Sequence, residues 1–130
     1  MADSGGLTDW PTELIPDHDR LYMRVHRNHQ VNGTLSPGAF RDQPPGGERP
    51  GMSTDWSRYS TPESTLRRAR KPEDNGVVEM LVGHVRAIPN LLVEHTPLPD
   101  NRAHTDVFGQ KDVEVRVLLQ RACRWVVPAP

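Results

Sequence analysis

The chain has 130 residues, with 16 Lys plus Arg against 17 Asp plus Glu, a formal net charge of -1. That length fits one domain able to bury a core without metal or disulfide staples, and the near-zero charge excludes a global field that would draw in nucleic acid or an anionic membrane. A single cysteine, Cys123, makes no intramolecular disulfide, and no apolar run is long enough to span a bilayer, so the composition predicts a cytoplasmic chain.

Residues 1–17 lack a sustained apolar period and read as an extended or partly disordered lead-in to a single domain over 18–130. In Leu21-Tyr-Met-Arg-Val-His26, Leu21, Met23 and Val25 fall on one face and Tyr22, Arg24 and His26 on the other, the alternation of a half-buried strand. Asn32-Gly33 is a turn dipeptide, and Ser36–Asp42 fits a short strand or one helical turn around Phe40. The Pro/Gly stretch over 43–51 reads as a flexible loop, with order resuming at Met52-Ser-Thr-Asp55.

Ser60-Thr-Pro-Glu63 predicts a helix start, Ser60 capping and Glu63 completing a capping box, with the helix running to about Arg70. Lys71-Pro72 ends it, and Asn75-Gly76 turns the chain into Val77–Ile88, expected as one long strand with a bulge at Gly83. Strands are expected at Leu91–Glu94 and Thr105–Phe108, and Lys111–Arg124 reads as an amphipathic helix. Together these elements predict an α+β fold: a mixed or mainly antiparallel sheet with about two helices on one face.

The densest chemistry lies in His95-Thr-Pro-Leu-Pro-Asp-Asn-Arg-Ala-His104, where two prolines stiffen a loop carrying titratable groups at both ends. A candidate binding surface follows from this loop and the polar strand face: Arg24, His26, Ser53, Asp55, His95, Asp100, Asn101, Arg102 and His104. Ser53, Asp55 and a loop histidine supply the residue types of a hydroxyl nucleophile, base and orienter, although no Gly-x-Ser-x-Gly elbow accompanies them. His26 and His29, three apart, lack the helical His-Glu-x-x-His signature, and no metal site is expected. The basic run Leu66–Lys71 reads as a solvated helix end that favours the macrodipole.

Arg24 on one strand and Ser53 on the next, separated by a loop, resemble the layout of the Arg-Glu-Ser toxin branch of the ADP-ribosyltransferase group. The similarity covers about the first half of the chain; it implies a nicotinamide dinucleotide site and a third-strand glutamate, Glu79 or Glu94. Asp19-Arg-Leu-Tyr-Met-Arg-Val-His26, Gly38-Ala-Phe-Arg-Asp42, Met52-Ser-Thr-Asp55, Ser60-Thr-Pro-Glu63, Pro97-Leu-Pro-Asp-Asn-Arg-Ala-His104 and Trp125-Val-Val-Pro128 resemble stretches of a set of small bacterial proteins of actinobacterial type. That resemblance covers most of 18–128 and implies a stand-alone domain, with no chemistry carried over. The sequence thus predicts a small binding or regulatory module that acts with a partner protein and needs no cofactor, with membrane and nucleic acid not expected. An NAD- or nucleotide-handling enzyme is the alternative.

Overall fold

Alternating apolar and polar side chains build the strands that organise this protein. The computed structural model describes residues 10–42 and 51–130; residues 1–9 of the expected lead-in and 43–50 of the expected Pro/Gly loop lie outside them. The chain forms β1 (Arg20–His26), β2 (Gln30–Val31), β3 (Thr34–Leu35), β4 (Gly51–Trp56), α1 (Pro62–Arg67), β5 (Asn75–Leu81), α2 (Val82–Arg86), β6 (Leu92–His95), β7 (His104–Phe108), α3 (Val113–Ala122) and β8 (Cys123–Val127). Six of the strands make one antiparallel sheet in the order β6-β7-β4-β1-β5-β8, and β2 pairs with β3 separately. The fold is α+β, and among the described residues no helix is long and apolar enough to cross a membrane.

The two faces of the sheet differ as the alternation dictates. Leu21, Met23 and Val25 of β1, Met52 and Trp56 of β4, Val78 and Met80 of β5 and Val107 of β7 form one apolar face. Val82 and Val85 of α2, Val115 and Leu119 of α3, and Phe40 complete the core with them. The opposite face carries Tyr22 and Arg24, with Asp55 opposite Tyr22 on one side and Glu79 on the other. His104 follows opposite Asp55, and Asp106 opposite Ser53.

Three α-helices are found among the described residues where two were expected. Two supply apolar side chains to the core, whereas α1 lies against the polar face: Arg24 Nη1 donates to the Thr65 carbonyl at 3.1 Å, and Thr65 Oγ1 donates to Asp55 Oδ2 at 2.8 Å. The expected single strand over 77–88 breaks at Leu81. There the Val82 amide donates to the Asp19 carbonyl, one step beyond the Arg20↔Leu81 pair, and the Gly83 amide to the Asp17 carbonyl, both at 2.9 Å, so the ladder ends on the turn that leads into β1. No bulge forms at Gly83; the irregularity lies between Val77 and Val78, opposite β8.

The expected helix over 111–124 is likewise shorter. It spans Val113–Ala122, and Cys123–Val127 turns outward to pair with β5. Thr61, not Ser60, caps α1, with its hydroxyl accepting from the Ser64 amide at 3.1 Å. The Ser60 hydroxyl is already engaged by Arg68 Nη1 at 3.0 Å and Thr65 Oγ1 at 2.9 Å. Asn32 and Gly33, both at positive φ, join β2 to β3 in the two-residue hairpin turn that their dipeptide favours.

Candidate functional site

β1 and β4 are joined by Leu21↔Trp56 and Tyr22↔Asp55, whereas β1 follows β5 through seven residue pairs and β4 follows β7 through five. Past Tyr22 the two central strands diverge. A cleft of about 1190 Å³ lies at that divergence, lined by Arg24 of β1, Gly51 to Asp55 of β4, and His104 and Asp106 of β7. Thr65 and Arg68 border it on one side, Ala39, Arg41 and Asp42 and Leu98, Asp100 and Asn101 elsewhere.

A carboxylate fixes the floor. Asp55, whose side chain is 5% exposed, pairs with Arg68 Nη1 at 2.9 Å. It also accepts from Thr65 Oγ1 and Asn101 Nδ2, each at 2.8 Å. A buried carboxylate is tolerated when charge and hydrogen bonds compensate its lost hydration, and here three donors do so. Asp55 therefore ties β4 to α1 and to the 96–103 loop, leaving its oxygens committed to the fold. The same loop closes on itself through the Leu98 and Asn101 backbone pair.

Beside that anchor, Ser53 Oγ lies 3.1 Å from His104 Nε2. His104 Nδ1 meets the Thr96 carbonyl at 2.9 Å and Thr96 Oγ1 at 3.1 Å. The Thr96 hydroxyl in turn donates to Asp106 Oδ2 at 2.9 Å. Gly51 makes room for this carboxylate, since a Cβ there would meet Asp106 Oδ1 at 2.9 Å. At the far wall the buried Lys111 ammonium pairs with Asp42 Oδ1 and donates to the Val107 carbonyl, both at 2.6 Å, pinning the 39–42 segment to β7.

The candidate residues separate. Arg24, Ser53, Asp55, Asp100, Asn101 and His104 line one cleft. His95 does not belong to a contact surface: it is 3% exposed and points into the apolar side, because one step along the strand reverses a side chain. Its Nδ1 accepts from the Glu13 amide at 3.0 Å and its Nε2 meets the Arg102 carbonyl at 2.7 Å, while its ring packs edge-on against Trp56. Arg102 turns the same way, its guanidinium 4.1 Å from the Tyr59 ring centre and 4.7 Å from that of Trp10. His26 accepts from the Asn28 amide at 3.1 Å and starts the turn after β1, outside the cleft lining.

Sequence reasoning missed Thr96, Asp106, Thr65 and Arg68. Asp106 had a usable signal: His104, Asp106 and Phe108 alternate with Thr105 and Val107, so period two places it beside His104. Thr96 meets His104 through its carbonyl as well as its hydroxyl, and no residue type announces a carbonyl. Among the described residues no three metal-binding side chains converge. His29 Nε2 instead faces Arg41 Nη2 at 3.1 Å, and burial followed by the Arg41 charge lowers its pKa. Burial likewise pushes the Cys123 thiol up to about 12, which disfavours the reactive thiolate.

No protein-family model, curated protein or solved structure matches this chain.

Proposed function

We propose that this protein is a small binding module that docks a polar segment of a partner protein in the cleft where β1 and β4 diverge. The observation that carries this reading is the cleft's lining, which sets Arg24, Arg41 and Arg68 among Asp42, Asp55, Asp100 and Asp106. Mixed charge on a pre-organised surface favours a polar chain carrying both signs, because complementary potentials select a partner and like charges reject the wrong one. Asp55 supports the reading by holding the cleft walls in place before anything binds, which lowers the ordering cost of association.

A photoreactive benzoylphenylalanine at Asp100 on the exposed rim tests the proposal, with the same group at the outlying, exposed Val113 as control. Co-expressed with its genomic neighbours, the protein is expected to give one discrete adduct from position 100 and none from position 113. Rebinding of the purified partner should weaken about tenfold in Arg24→Ala, a loss of about 1.4 kcal/mol. Identical adducts from both positions, or none from position 100, would defeat it.

One observation favours a second reading, a nicotinamide dinucleotide site: Arg24 and Ser53 line the same cleft. The glutamate that reading requires does not join them. Glu79 Oε2 is held by Arg20 Nε at 3.0 Å and Arg124 Nε at 2.7 Å, and neither Glu79 nor Glu94 lines the cleft. Calorimetry with millimolar NAD decides the matter, since an Arg24-dependent heat would restore the reading and its absence would end it.

A further inference from the structure

The arrangement around Ser53 goes beyond a polar lining. Both groups facing His104 Nδ1 are acceptors: the Thr96 carbonyl has only lone pairs, and the Thr96 hydroxyl spends its hydrogen on Asp106. Nδ1 therefore carries the imidazole proton, which leaves the Nε2 lone pair directed at Ser53 Oγ, 3.1 Å away. Ser53 and His104 are diagonal rather than directly opposed across β4 and β7, since Ser53 pairs with Asp106 and Asp55 with His104. The outcome is a continuous run from a carboxylate through a hydroxyl and an imidazole to a second hydroxyl, ending in the cleft.

We propose that Ser53 is a base-activated nucleophile that takes an acyl group from small carboxylic esters entering this cleft. Ser53 Oγ bonds to the ester carbonyl carbon while its proton passes to His104 Nε2. The tetrahedral intermediate then expels the alcohol, breaking the carbon–oxygen bond, and Nε2 returns the proton to the departing oxygen. Water repeats the sequence on the acyl-serine, with His104 again taking and giving one proton, to release the carboxylic acid and restore the hydroxyl.

Thr96 and Asp106 are positioning residues. Thr96 holds the ring in the required tautomer, and Asp106 steadies the transient imidazolium through the Thr96 hydroxyl. Arg24, on the same sheet face and lining the same cleft, is the cation assigned to the oxyanion, although its Nη1 also donates to the Thr65 carbonyl.

A fluorophosphonate probe tests the proposal on the full chain. Attack forms a phosphorus–oxygen bond at Ser53 and expels fluoride, leaving an adduct that mass spectrometry locates without any partner or known substrate. Wild type should carry a single adduct at Ser53, absent in Ser53→Ala. Labelling should slow about 100-fold in His104→Ala, the scale of general-base assistance.

Thr96→Val, which keeps the carbonyl and removes the hydroxyl, should also slow labelling, and Thr96→Ser should restore it. This pair still decides the outcome if His104→Ala fails to fold. No adduct on wild type, adducts spread over several serines, or equal rates in wild type, Thr96→Val and Thr96→Ser would overturn the proposal. It stands apart from partner docking: crosslinking at position 100 can fail while Ser53 labels, and the reverse result would leave docking intact.

Discussion

Asp55 organises more of the cleft than any titratable neighbour, and it does so by being unavailable for chemistry. Its carboxylate joins a strand, a helix and a loop through Arg68, Thr65 and Asn101. Truncating it would remove the acceptor those three donors share, of which the Thr65 and Asn101 side chains sit in buried residues and Thr65 and Arg68 are left with the Ser60 hydroxyl between them. Leaving buried partners unpaired generally costs more than the bonds contributed when intact. Asp55→Ala is therefore expected to lower stability by about 3 kcal/mol, discounted for the partial exposure of Arg68. Asp100→Ala, on the exposed rim of the same cleft, should change it by less than about 0.5 kcal/mol. Urea unfolding of both variants measures the contrast, and similar midpoints would contradict the role given to Asp55.

Among the elements, what was legible in the sequence is what local physics decides. β1 follows its alternation through all seven residues, and the Asn32-Gly33 hairpin follows from two residues that tolerate positive φ. The errors have tertiary causes. Val77–Ile88 is β-branched and apolar enough for a long strand, but its neighbour β1 begins from a turn closed by the Asp19 amide on the Pro16 carbonyl, so pairing runs out at Val82 and the chain turns into a helix. Trp125 continues an apparent helical period, yet the open edge of β5 draws Cys123–Val127 into the sheet. For the site, residue types pointed to Ser53 and a loop histidine, whereas the orienting group is a backbone carbonyl with no signature. The α1 cap shows the same limit one residue wide, and it can be tested. Thr61→Ala should cost about 1 kcal/mol through loss of the Ser64 amide bond. Ser60→Ala acts instead on the hydrogen bonds to Thr65 and Arg68, so only Thr61→Ala should increase amide exchange at Ser64.

Across the whole molecule, residues 10–16 bind the two halves of the sheet although they carry no regular structure. Ile15 is buried in the core, its carbonyl accepts from Arg86 Nη1 of α2, and the Glu13 amide donates to His95 at the end of β6. The Glu13 carboxylate accepts from the Tyr59 hydroxyl at 2.6 Å, beyond β4. That bond, reinforced by the charges of Arg58 and Arg102 against burial, holds Glu13 below the ordinary glutamate range. The same bond, followed by burial, raises Tyr59 above its ordinary value. A carboxyl whose pKa is lower folded than unfolded stabilises above its unfolded value and loses that contribution as pH falls through the folded one. A phenol whose pKa is raised on folding stabilises below its unfolded value and loses that contribution as pH rises through the folded one. The difference in thermal midpoint between wild type and Glu13→Gln should therefore be widest near neutrality. It should close on the acid side as Glu13 protonates, and again on the alkaline side as Tyr59 ionises and can no longer donate. Ile15→Ala, which removes core packing without touching either titrating group, should lower stability by about 2–4 kcal/mol at neutral pH and leave that pH dependence in place. Thermal melts of the three proteins across acid, neutral and alkaline buffers measure both effects, and a Glu13→Gln difference independent of pH would show that the segment is held by packing alone.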